Sequence, residues 1–139
     1  GVMFAILGAY FFDFLVKRKD LPAARAIFAL CFSVAIAVLW EFCEFGADTF
    51  LGMDMQDDTV IHGLTSYLLG DSLGMTGSIL NIQSVSVNGL LLPVDGYIDI
   101  GLIDTMLDML LETVGAIAAC MIILLDKDRH PIIQNHTTL

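Results

Sequence analysis

No lysine or arginine occurs between Arg25 and Lys127, and two apolar stretches within that interval each carry a ladder of carboxylates. One ladder is Glu41, Glu44 and Asp48 in AVLWEFCEFGADTF; the other is Asp104, Asp108 and Glu112 in LIDTMLDMLLETVGA. Nothing cationic in the intervening chain can neutralise these acids. Any fold must therefore bring them to water, to protons or to an external cation, because an ion left dry and unpaired is too costly.

Composition sets the solvent. The 139 residues are 57% hydrophobic and 16% charged, whereas a soluble domain is ~45–50% apolar with about a quarter of its residues charged. A membrane class follows. Sixteen acidic against six basic residues, a net charge of -10, argue against a nucleic-acid partner, which needs a basic surface. Cys31, Cys43 and Cys120 lie in apolar helical stretches without CxxC or Cys/His ligand spacing, so they read as small buried apolar residues.

The first apolar run, Val2 to Val16, is shorter than the ~20 residues of a full span. It reads as the remainder of a transmembrane helix in the later part of a longer protein, since no basic n-region marks it as a signal peptide. KRKDLPAAR follows, with Pro22 suited to the first turn of a new helix. Residues 24 to 47 read as a second, complete span, with Trp40 and Phe42 near its far interface. Leu102 to Leu125 is the third, closed by DKDRH and Pro131. Lys17, Arg18, Lys19 and Arg25 lie between the first two segments, and Lys127 and Arg129 follow the third. The positive-inside rule places residues 17–25 and the C-terminal tail in the cytoplasm and residues 50–101 outside. The expected fold is all-α: a polytopic transmembrane helical protein in one membrane domain, with two complete spans, a partial N-terminal helix and a long mixed outer loop.

Within the loop, Thr59 to Leu69 offers a short helix ended by Gly70, with Asp58 or Thr59 as its N-cap. Further on, the alternation at Leu80 and Ile82 slips at Ser84 and resumes at Val85 and Val87 before Asn88-Gly89. That dipeptide is a hairpin turn signal, and a re-entrant segment buried against protein is the alternative.

The ladders have helical geometry. Spacings of three and four residues keep Glu41, Glu44 and Asp48 in one sector of a helix, and Asp104, Asp108 and Glu112 drift only slowly around theirs. Each ladder covers roughly 10–12 Å of helical rise. Antiparallel pairing of the helices would bring all six acids to similar depths near the outer surface. A charged carboxylate costs at least ~2.5 kcal/mol near the bilayer centre and less toward the interface. Three outcomes fit: a divalent metal, shared protons or a hydrated vestibule. Mg²⁺ or Ca²⁺ suits an all-oxygen ligand set of these six residues, supplemented by Asn81, Gln56, Thr105 and backbone carbonyls. Zinc is less suited, because His62 is the only histidine before the tail and no HxxxH or HExxH occurs. No organic cofactor is expected.

Other residues have simpler readings. His62 is a loop or interface histidine, and Asp54, Asp57 and Asp58 are solvated loop charge. Met106, Met109 and Met121 are apolar filling. Gly115, Ala116, Ala118 and Ala119 favour close helix packing. GDSLG at Gly70 to Gly74 is not a GxSxG nucleophile elbow.

Trp40-Glu41-x-x-Glu44, Met55-Gln56-Asp57 and Asp104-Thr105-Met106-x-Asp108 before Gly115-Ala116 resemble the YjdF-like family of uncharacterised bacterial inner-membrane proteins, mainly over residues 36 to 120. The resemblance implies a small polytopic membrane protein. Glu112 stands where that family pattern leads one to expect Asp, and the extended 73 to 101 region departs from its compact connection.

The leading functional expectation is an outward-facing carboxylate site that binds or translocates a cation. Glu41 and Glu44 would oppose Asp104 and Asp108, with Asp48 and Glu112 tuning entry and depth. The alternatives are a Mg-dependent enzyme acting on a phosphorylated lipid or headgroup, in which the metal steadies developing oxygen charge, and a non-catalytic assembly subunit. Expected partners are the lipid bilayer, a cation, and either a second copy or additional upstream helices.

Overall fold

The structure, a computed structural model, describes residues 1–17 and 21–125. Arg18, Lys19, Lys127, Arg129 and the helix-ending Pro131 lie outside the described residues. Three helices form the body of the molecule: α1, Val2–Leu15; α2, Pro22–Leu51; and α3, Leu102–Leu125. Pro22 opens α2, where its missing amide proton costs nothing. The helix runs past the expected 24–47, passing through Gly46 in helical conformation and ending only at Gly52, whose φ of 64° turns the chain out of the helix. At 1.5 Å per residue, α2 is ~45 Å long and α3 ~36 Å, each enough to cross a bilayer with tilt. Both are apolar enough to do so.

Helix α1 lies against both α2 and α3, packing through small residues. Ala9, Ala26, Ala29 and Cys120 form one core cluster, and Ala5, Ala116 and Ala119 a second, with Leu30 touching both. Gly8 meets α2 so closely that an added Cβ would lie 2.9 Å from the Phe32 Cβ. Phe11, Phe12, Phe28 and Phe32 pack beside this contact with ring centroids 5.6–6.2 Å apart. Below them, Arg25 pairs with Asp13 at 2.9 Å.

The arrangement inverts a soluble bundle. Ala5, Ala29 and Ala116 are fully buried, while Phe14, Leu111 and Ile122 lie outside. In lipid the large side chains gain nothing by turning inward, and helices associate where small residues let their backbones approach. Cys120 is buried as expected and its thiol donates to the Ala26 carbonyl at 3.2 Å. Cys31, Cys43, Met106 and Met121 are instead exposed on the outer faces of the helices.

Three two-stranded antiparallel ribbons fill the connection between α2 and α3. β1 (Thr59–Ile61) pairs with β6 (Tyr97–Asp99), joining the two ends of the loop. β2 (Gly63–Ser66) pairs with β3 (Gly77–Leu80), and β4 (Ser86–Val87) with β5 (Leu90–Leu91). The hairpin at Asn88-Gly89 is present, and both turn residues take positive φ, 52° and 82°, as a two-residue primed turn requires. The expected helix from Thr59 to Leu69 is not. Only Tyr67–Leu69 forms a single 3₁₀ turn, ended at Gly70 and capped by Ser66, whose hydroxyl accepts the Leu68 amide at 3.1 Å. Thr59, Val60 and Ile61 are β-branched and find partners in Ile98 and its neighbours, so strand pairing overrides the helical spacing.

Candidate functional site

On α2, the buried positions Ala26, Ala29, Ser33, Ala37, Glu41 and Glu44 form one continuous stripe. Its apolar part packs against α1 and α3. Its outer part is acidic. Glu41 is 7% exposed and Glu44 9%, so these two acids of the first ladder are buried in the bundle, whereas Asp48 is only half-buried. The Trp40 indole N–H donates to Glu44 Oε1 at 2.7 Å.

Glu41 is less well served. Thr105 on α3 is its hydrogen-bonding neighbour, and Glu44, Asp108 and Asp104 lie within electrostatic reach. Its Oε2 is buried without a hydrogen-bond partner among the described residues. The Thr105 oxygen accepts from Gln56 Nε2 at 2.5 Å, so Thr105 stands between Gln56 and Glu41. Gln56, Thr105 and Glu41 thus form a polar chain running from the loop into the bundle.

Asp48 and Asp104, at the outer ends of the ladders, bind backbone. Asp48 accepts the Met55 amide at 2.7 Å and the Gln56 amide at 3.0 Å. Asp104 accepts the Asp57 amide at 3.0 Å. The two carboxylates therefore fasten the segment after α2 from opposite sides. Gln56 also lies over Gly101, where φ is 76° and an added Cβ would come within 2.6 Å of the Gln56 Cβ. Asp99, unremarked in the sequence, accepts the Ile103 amide at 2.7 Å in the first turn of α3. An acid shortly before a helix start is the signal that would have found it.

Deeper in, a cavity of about 650 Å³ opens between the helices. Its acidic lining residues are Glu41, Asp108 and Glu112; Phe4, Ala37, Trp40 and Leu111 are among the rest. Asp108 is exposed, and Glu112 is half-buried. The structure therefore gathers three of the six ladder acids around one cavity, sets Glu44 beside them, and places Asp48 and Asp104 at the loop. Among the described residues, no three His, Cys, Asp or Glu side chains converge as a metal-ligand group. Asn81 stands apart from the acids, in a second cavity of about 530 Å³ with His62 and Asp95. There His62 Nδ1 lies 3.0 Å from the Ile82 carbonyl, a structural contact.

The family model described as "Predicted membrane protein (DUF2238)" matches residues 1–129. The chain belongs to the DUF2238 family. The match includes residues 36 to 120, over which the YjdF-like resemblance was drawn, and establishes the polytopic membrane character that the helices suggest. Neither the curated proteins nor the solved structures gave a match.

Proposed function

We propose that this DUF2238 protein is a multipass protein of the bacterial inner membrane that binds or translocates a cation at an outward-facing acidic groove between α2 and α3. One observation carries the reading: the buried Glu41 carboxyl, with an unpartnered oxygen, borders a cavity shared with Asp108 and Glu112. A carboxylate in that setting needs a neutralising proton or cation, and no lysine or arginine between Arg25 and Lys127 supplies one. Intramembrane acids of this kind mark ion and substrate pathways more often than they serve packing alone.

In this reading Glu41 and Asp108 receive the cation, Glu112 sets the inner limit of the site, and Glu44 adds negative potential. Asp48 and Asp104 hold the loop over the mouth. Mg²⁺ and Ca²⁺ are the inorganic candidates for an all-oxygen site, reached by rearrangement of side chains that now stand apart. The basic residues at 17–25 and in the tail face the cytoplasm, and the ribbons of residues 50–101 face outward.

Calorimetry on the purified full-length protein tests the site. Cation binding is expected in wild type, lost in Glu41→Gln and weakened in Asp108→Asn. Equal binding in all three proteins rejects the assignment.

A further inference from the structure

The same cavity indicates what kind of cation it takes. Building on the reading above, we infer that the α2–α3 cavity is a binding site for an amphipathic organic cation, a charged nitrogen or phosphonium centre carried on an apolar body.

The volume of about 650 Å³ is far larger than a bare ion needs and lies within the ~300–1,000 Å³ typical of small-molecule sites. The wall is divided by chemistry. Phe4, Ala37, Trp40 and Leu111 give an apolar surface, while Glu41 and Asp108 give negative charge. Small-molecule sites characteristically combine a mostly apolar lining with a few placed polar groups. Among the described residues no lysine or arginine lines the cavity, so an anionic headgroup finds nothing there to pair with.

The acids also lack the geometry for a desolvated metal. No three of them converge among the described residues, and Mg²⁺ demands near-ideal octahedral oxygens. A diffuse organic charge makes no such demand; one carboxylate beside an aromatic face suffices. Glu41 and Trp40, adjacent residues of α2, both line the cavity and supply those two groups. Trp40 is already oriented by its bond to Glu44, so little side-chain freedom is lost when a cation arrives.

The test uses the full-length protein in detergent, with tetraphenylphosphonium as a freely diffusing probe, a long-chain alkylammonium lipid without phosphate as a bilayer-borne probe, and Mg²⁺ and Ca²⁺ as inorganic controls. Calorimetry gives affinity, and tryptophan fluorescence, compared with Trp40→Phe, shows whether the probe reaches this ring. Binding of either organic probe is expected, with a loss of ~10-fold or more in Glu41→Gln. Ala37→Leu should block it by filling the cavity. Leu111→Trp adds bulk from the exposed wall if Ala37 does not tolerate it. Which organic probe responds identifies the source of the ligand.

If Mg²⁺ or Ca²⁺ binds through Glu41 and neither organic probe does, the organic-cation inference is overturned while the cation site stands. If no probe shows binding that depends on Glu41, both are overturned.

Discussion

Trp40 and Glu44 are joined along one face of α2 by an indole-to-carboxylate hydrogen bond of 2.7 Å. The bond holds a mostly exposed ring against a buried acid, and so fixes both the rim and the charge of the cavity. Trp40→Phe keeps the ring but removes the donor. Because Glu44 is left with a buried, unserved oxygen, the variant is expected to lose about 1–3 kcal/mol. Thermal unfolding in detergent would register this as a lower Tm, and an unchanged Tm would mean the bond contributes nothing.

Asp48 and Asp104 grip consecutive stretches of the same segment from different helices. Asp48→Ala and Asp104→Ala should each speed amide exchange at residues 55–57. Asp48→Asn, which retains one acceptor oxygen, should do less. Since both acids hold one element, the double variant is expected to deviate from additivity by about 0.5–3 kcal/mol. Strict additivity would show that the two clamps act independently.

Thr105→Val preserves shape and deletes the hydroxyl that joins Gln56 to Glu41. Glu41, which is buried, and Gln56, which is partly buried, then lose a polar neighbour, and about 1–3 kcal/mol of stability should go with it. Gln56→Leu should recover part of that loss in the Thr105→Val background, because it removes one of the orphaned groups. A further loss in the double variant would count against the chain of contacts.

The inverted packing gives an expectation opposite to that for a soluble bundle. Ala29→Leu adds volume at a fully buried contact and should cost about 1–3 kcal/mol by overpacking. Leu110→Ala, on an exposed face, should be close to neutral in thermal stability. The reverse order would mean that the exposed leucines are covered by protein rather than lipid.

Orientation is open to direct labelling. A cysteine placed at Leu73, exposed in the outer loop, should react with an impermeant maleimide in intact cells. A cysteine at Lys17 should react only after lysis. Labelling in the opposite order would invert the proposed topology.

The three helices were legible because length and continuous hydropathy mark a span and Pro22 opens α2; the end of α2 was less so, since the helix runs through Gly46 and stops at Gly52. The inward face of the first ladder was equally legible, since three- and four-residue spacing fixes a helical sector. The loop was not. Its apolar residues between Thr59 and Leu69 satisfy a helical pattern, but Thr59–Ile61 finds its partner at Tyr97–Asp99, far along the chain, and local spacing carries no trace of that pairing. The division of labour among the acids was hidden for a related reason. Asp48 and Asp104 are claimed by backbone amides of the loop, and a sequence does not display where its amides point. The side-chain pattern located the carboxylates, and the path of the chain between them decided which are taken up by backbone amides.

The continuous stripe on α2 has a mechanical consequence. The alanines that seat the helix and the glutamates that border the cavity occupy the same side of one rigid rod. Twisting α2 about its axis would re-aim the acids only by pulling Ala26 and Ala29 out of contact. Motion that widens the cavity must therefore come from tilt or sliding of the neighbouring helices, with α2 as the fixed post against which they move.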